Sequence, residues 1–269
     1  MWAETTEVWE DPDNNTRDYS APRYSQSAHK QVKYPTALIQ WDYKEGAQLL
    51  SRVLVGEAGQ GIKLPGFVKR HVIRTRQRTL FTKGDGVSTE TWDHVEKIYL
   101  DSLEALSVIF ENRPYLLGSR PSLADFGLFG PMFRHFAMDP TSARIMRETA
   151  PAVYEWTARL WNARASRTGG ELLDHVPEDW GPILDSIGSA YLPYLCANAS
   201  AWKADRGRFD VDIEGAPYKE IRTARYRVWC LEEIRREFKT LSPTHQDVVQ
   251  AKLEKHNCWE PLWRIEEPS

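Results

Sequence analysis

The sequence predicts an all-α fold, and three observations carry the prediction. Apolar residues recur at three- and four-residue spacing over several long stretches. Ser122 and Asp125 stand three apart at the head of an apolar run, the spacing of a helix capping box. The first thirty-five residues contain no β-branched alternating run that would open a sheet. With 269 residues, 41% hydrophobic and 27% charged, the chain is long enough to bury a core and has the composition of a soluble globular protein.

Residues 1–35 are rich in Asp, Asn, Ser, Pro and Tyr, with a turn cluster at Asp11-Pro-Asp-Asn-Asn15, and read as an extended arm. Trp2, Trp9, Tyr19, Tyr24 and Tyr34 make it too aromatic for a purely solvated tail, so it is expected to lie against its own fold or a partner. A helix is expected over 36–55, on Ala37, Ile39, Trp41, Leu49, Leu50, Val53 and Leu54, with Gly56 stopping it. The glycines at 56, 59 and 61 have no strand before them, so they read as a helix-ending loop and not a phosphate loop.

From Pro65 to the Gly84-Asp-Gly86 turn the chain is basic. Read as a helix, it stacks Arg70, Arg74 and Arg78 in one column, a geometry that grips a carboxylate or phosphate in bidentate fashion. The plainer reading, a solvated basic face paired with acidic neighbours, carries more weight. A helix over 88–111 follows, capped by Ser88, Glu90 and Thr91, with Trp92, Val95, Tyr99, Leu103, Leu106 and Phe110 as its apolar stripe. Asn112-Arg-Pro114 ends it.

The stretch Arg113-Pro-Tyr-Leu-Leu-Gly118-Ser-Arg-Pro-Ser122-Leu-Ala-Asp125-Phe is the most informative. Here the Ser122 hydroxyl is placed to accept an amide of the first helical turn, and the Asp125 carboxylate to reach back to the Ser122 amide. That carboxylate also faces the positive end of the helix dipole. The segment resembles the start of the central helix in the C-terminal domain of glutathione transferases, and Met146–Trp156, with its Ala150-Pro151 step, resembles the next helix of that domain. The resemblance implies a glutathione-transferase C-terminal-like orthogonal helical bundle with an N-terminal extended arm and a helical C-terminal extension. It carries no catalysis, because in that family the residues matching Ser122 and Asp125 serve folding. The family's thioredoxin-like half needs about eighty residues, and the thirty-five before the first helix cannot supply it. The segment Glu4-Thr-Thr-Glu-Val8 has a weak likeness to that half's γ-glutamyl contact, which leaves open that another chain supplies it.

Beyond Gly169-Gly170 the extension is expected to contain a helix at 177–203 broken or kinked at Pro182 and Pro193. A strand or extended loop at 208–213 then turns at Gly215-Ala-Pro217. A helix at 222–238 carries Tyr226, Trp229, Cys230 and Ile234, and a last helix opens on Ser242-Pro243 and ends near Asn257. The domains expected are therefore an arm at 1–35, a helical domain at 36–170 and an extension packed on it at 171–269.

Composition narrows the function. A net charge of −3 and a pI near 6.2 give no field for nucleic acid or an anionic membrane. No apolar leader or run of about eighteen apolar residues predicts a signal peptide or a membrane span. Cys196, Cys230 and Cys258 fit neither a metal knuckle nor a disulfide framework, so a reducing compartment such as the cytoplasm is expected. The seven histidines form no metal-binding spacing, and no nucleophile signature is present. By the resemblance, Trp41, Tyr43, Trp92 and Tyr99 with Arg70, His71 and Arg74 would form an aromatic and cationic pocket for a small anionic or aromatic ligand, with glutathione a possible one. The alternative is a non-enzymatic subunit of an oligomer or hetero-complex. Catalytic residues are unassigned.

Overall fold

The computed structural model describes residues 44–58 and 61–264. The predicted arm, the first eight residues of the 36–55 helix, Trp41 and Tyr43 lie outside the described residues. The chain forms two compact units. The first comprises the described residues up to Arg74 together with Tyr99–Asp179, and the second comprises Thr75–Ile98 together with the described residues from Trp180 onward.

The described helices begin with α1 (Lys44–Ala58) and α2 (Gly66–Gln77). Helix α2 runs on through a wide π-helical turn at Arg78–Thr82 and a 3-10 turn at Lys83–Asp85. Arg78 therefore belongs to the wide turn and does not extend a regular column with Arg70 and Arg74. Helix α3 (Trp92–Asn112) starts four residues later than its sequence signals imply. The Ser88 and Thr91 side chains instead close a tight turn, with the Ser88 amide donating to the Thr91 hydroxyl at 3.0 Å and the Glu90 amide to the Ser88 hydroxyl at 3.2 Å.

In the first unit, the predicted stripe of α3 is the core. Tyr99, Leu103, Leu106 and Phe110 are all buried, joined by Ile109. Against them pack α4 (Leu123–Pro131) with its π-helical extension Met132–Ala137, α5 (Pro140–Thr149) and α6 (Pro151–Trp161). Tyr99 stacks on Phe136 at 4.4 Å and Phe110 on Trp156 at 4.7 Å, large apolar areas that hold the helices at fixed angles. Prolines 140 and 151 open α5 and α6 at a first-turn position, where a missing amide costs nothing.

A short antiparallel contact closes this unit. Gly118 bridges to Leu172, the Ser119 amide donates to the Glu171 carbonyl at 3.0 Å, and the Leu173 amide donates to the Leu117 carbonyl at 2.8 Å. Gly118 has φ +144 and a Cβ there would sit 2.3 Å from the Glu171 carbonyl oxygen, so only glycine permits the approach. Arg113 clamps Asp179 through both guanidinium nitrogens. Residues 171–179 thus belong to the first unit, where the sequence placed them in the extension.

The second unit contains α7 (Gly181–Ser186), a π-helical turn at Ile187–Tyr191 and α8 (Leu192–Lys203). The break expected near Pro193 is this wide turn, which carries the chain past a residue that cannot donate an amide bond. Gly188 lets the turn approach Asn257: a Cβ would lie 2.6 Å from the His256 carbonyl oxygen. The six-residue alternation is a true strand, β1 (Arg208–Ile213), and it pairs antiparallel with β2 (Ala216–Arg222), which sequence reasoning did not expect. The turn is Glu214-Gly215, both with positive φ, and not Gly215–Pro217; Ala216 and Pro217 are already paired with Ile213 and Asp212. The chain ends its described course in α9 (Arg225–Thr240), α10 (Pro243–Lys255) and the short α11 (Trp259–Trp263). Ser242 caps α10 as expected, accepting the His245 amide. On α9 the deeply buried residues are Cys230 and Leu231, whereas Ile234 is exposed.

Candidate functional site

The Ser122–Asp125 pair is intact at the head of α4. Both halves of the capping box are present, and the Asp125 carboxylate accepts the Ser122 amide at 2.9 Å and the Ser122 hydroxyl at 2.7 Å through one oxygen. Its other oxygen accepts the Leu116 amide at 2.9 Å and the Trp156 indole N–H at 3.0 Å. Asp125 is 0% exposed. Burial pushes its carboxyl above the ordinary aspartate value, and the four donors oppose that shift. One anion therefore joins the Tyr-Leu-Leu-Gly turn, the head of α4 and the middle of α6. With every lone-pair direction occupied by a protein donor, it is a folding device with no capacity left for a substrate.

The predicted ligand residues fare differently. Tyr99 is 1% exposed, stacked on Phe136, and donates its hydroxyl to the Ser142 carbonyl at 3.2 Å, so it is a core residue of the first unit. Trp92 is half-buried in the second unit and donates its indole N–H to Glu96 at 3.1 Å. Arg70 and Arg74 are half-buried and His71 exposed on α2, a helix with no buried residue. Among the described residues no carboxylate pairs with Arg70 or Arg74. Its acidic neighbours are also missing along the chain, for no Asp or Glu occurs from Ala58 to Gly84.

The second unit holds a titratable chain that sequence reasoning did not assemble. His94 of α3 shares a hydrogen bond with the Tyr218 hydroxyl through Nδ1 and another with Glu214 through Nε2, each at 2.8 Å. The Ser189 hydroxyl donates to the other oxygen of Glu214 at 2.5 Å. Hydrogen bonds from Ser189 and then His94 hold the Glu214 carboxyl below the ordinary glutamate value. Burial pushes the Tyr218 hydroxyl well above the usual tyrosine range. Ser189 bonds to the carboxylate and not to the imidazole, so the arrangement is not a serine nucleophile with its base. It fastens Glu214, a non-glycine residue at φ +53, into the left-handed turn of the hairpin. Residues 120 apart in sequence give no local signal for such a cluster.

Other reactive groups are similarly committed. All three cysteines are buried; burial first, then the nearby Asp185, pushes the Cys258 thiol up to about 11, where it is an inert thiol at neutral pH. Among the described residues no group of three or more His, Cys, Asp or Glu could hold a metal ion, and no helix is long and apolar enough to cross a membrane.

Residues 81–163, about a third of the chain, match the family model described as Glutathione S-transferase, C-terminal domain. A comparison with curated proteins and one with solved structures return no match. The matched stretch runs from the π-helical turn before α3 to the end of α6 and contains every contact of the Asp125 clamp.

Proposed function

We propose that this chain, which carries a glutathione S-transferase C-terminal domain over residues 81–163, is a transferase-like protein that binds a small anionic or aromatic ligand through Arg70, His71 and Arg74 of α2. The observation that carries the reading is the contrast in how charge is used. Asp125 is sealed by four internal donors, whereas the α2 cations stand on a helix with no buried residue. Two guanidinium groups one turn apart suit a carboxylate, which they can grip with parallel N–H donors. In this reading thiol chemistry, where it occurs, needs a glutathione site supplied by a partner.

Titration calorimetry with glutathione and with benzoate tests the proposal. Saturable binding is expected, weakened about tenfold by either Arg70→Gln or Arg74→Gln, because a charge-assisted hydrogen bond contributes about 1.5–3 kcal/mol. No binding of either compound at millimolar concentration overturns it.

A second reading, a non-enzymatic subunit of a larger assembly, is favoured by one surface of the first unit. Trp161 is 59% exposed, yet it stacks on Phe133 at 4.6 Å, and Phe133 stacks on Phe129 at 5.0 Å. A preformed aromatic ladder of this kind suits the centre of an interface. Light scattering of the wild type and of Trp161→Ser separates the readings: an assembly that dissociates in the variant supports the subunit, and an unchanged monomer removes it.

A further inference from the structure

The apolar residues on and before α2 are out of place. Phe67 is 67% exposed and Val72 52%, and Ile62 and Leu64 ahead of the helix are also exposed. The helix is attached through Ile73, which packs, as Leu54 does, on the small cluster of Ala47 and Leu50 in α1. Ile62–Arg74 carries Lys63, Lys69, Arg70 and Arg74 and no acidic residue, in a chain whose net charge is −3. A cationic, partly apolar surface of this size calls for a cover that is anionic and partly apolar.

The chain contains such a cover. Residues 1–18 include six acidic side chains, Glu4, Glu7, Glu10, Asp11, Asp13 and Asp18, against the single cation Arg17, and they carry Trp2, Val8 and Trp9 between the acids. We propose that the acidic, tryptophan-bearing segment 1–18 docks in the same molecule onto the exposed cationic surface formed by Ile62–Arg74. Charge complementarity sets the pairing, and Trp2 and Trp9 supply apolar area for Phe67 and Val72.

The tether allows it. Ile73 packs on Ala47 and Leu50, so α2 lies beside the first two turns of α1, where the N-terminal segment joins the helix at Lys44. With 36–43 continuing the helix as the sequence predicts, the linking residues 19–35 can still span up to about 55 Å when extended, more than the length of α1, roughly 22 Å at 1.5 Å per residue. A tether of this length holds the segment near the helix at an effective concentration of the order of millimolar, so weak contacts between exposed charges suffice. The segment would share Arg70 and Arg74 with the ligand proposed above, but the inference does not depend on that ligand.

Zero-length carbodiimide cross-linking of the full chain, read by peptide mapping, is the test. Wild type is expected to join carboxylates of residues 4–18 to Lys63 or Lys69 within species of monomer mass. A variant with Glu4, Glu7 and Glu10 changed to Gln and Asp11, Asp13 and Asp18 changed to Asn has no carboxylate there for the reagent, so it serves to assign those cross-links, and the docking itself is read in it by hydrogen exchange. It should exchange the amide hydrogens of residues 66–74 about tenfold faster than wild type at low salt. That difference should vanish near 1 M salt, where charges are screened beyond about 3 Å. Far-ultraviolet circular dichroism and the thermal midpoint of the variant are the control that folding is intact. Cross-links confined to species of dimer mass would assign the surface to a second copy. Protection of 66–74 that appears only with phosphatidylserine vesicles would assign it to a lipid surface. Either result, or equal exchange in the two proteins, overturns the proposal.

Discussion

The two units hold their most deeply buried carboxylates, Asp125 and Asp85, in opposite ways, the Arg113–Asp179 clamp of the first unit being less buried. In the first, one carboxylate with no exposure is satisfied by neutral donors, and those donors lie three, nine and thirty-one residues from it. In the second, carboxylates meet cations or imidazoles across far longer separations: Asp85 with Arg227 at 142 residues, Glu214 with His94 at 120, and Asp185 with His256 at 71. The difference teaches that an anion sealed by its own local motif can nucleate a unit, whereas one held by remote cations can only join segments already brought together. Loop-closure cost favours that order of events, because short-range contacts close before long-range ones repay their entropy.

Asp125→Ala gives the largest effect that could break this comparison. It orphans the Leu116 and Ser122 amides and the Trp156 indole, and at about 1–3 kcal/mol for each buried unsatisfied donor the loss should be roughly 4 kcal/mol or more. A loss of unfolding free energy in urea of under about 1 kcal/mol would deny the clamp its role. Next comes the pair in the second unit, Asp85–Arg227, 2.7 Å apart and mostly buried. Removing one partner with Arg227→Met should cost about 3 kcal/mol, and the double change Asp85→Leu with Arg227→Met should recover much of it, since buried pairs are dispensable when replaced together. Equal losses in the single and double variants would place the stabilisation in the stacking of Arg227 over Tyr194, at 4.9 Å, and not in the ion pair.

A change of Gly118 to Ala, at φ +144 and against the Glu171 carbonyl, should destabilise the first unit by about 2 kcal/mol through combined strain and overlap. Hydrogen exchange at Ser119 and Leu173 would show the bridge opening, and unchanged protection there would sink the idea. The pH response sharpens the contrast further. The folded Glu214 carboxyl lies below its ordinary value of 4.5, so its contribution is present above about pH 4.5 and is lost as pH falls through the lower folded value. Asp125 is shifted upward and has the opposite slope. Thermal midpoints of wild type and Glu214→Gln should therefore differ at pH 6 and draw together as the pH falls below 4.5; a constant gap would exclude the linkage. The smallest expected effect is Ser242→Ala, a lost helix cap of about 1 kcal/mol, read from the same midpoints.

How far the sequence could be read follows the same division. The stripe on α3, the Ser122–Asp125 cap, the Ala150-Pro151 entry of α6 and the cap of α10 were legible because each is decided within a few residues by helix periodicity or a free amide, whereas Met146–Thr149, read as part of the α6 helix, are the end of a separate helix α5. Trp156 as the fourth donor to Asp125 was not legible, since nothing in the α6 sequence says which way its indole points. Tyr99 shows the limit most plainly. An aromatic at a stripe position satisfies the pattern of a core residue and of a pocket wall alike, and only its stacking on Phe136 and its bond to Ser142 place it in the core.

By itself the sequence determined the apolar stripe of α3, the capping box that locks α4 and the family to which that stretch is similar, because those features depend on spacing within a turn or two. Tertiary structure decided the fourfold seal on Asp125, the pairing of β1 with β2 and the junction of His94 with Glu214 and Tyr218. Each requires residues tens to more than a hundred positions apart to meet, and local periodicity contains no record of which distant segments come into contact.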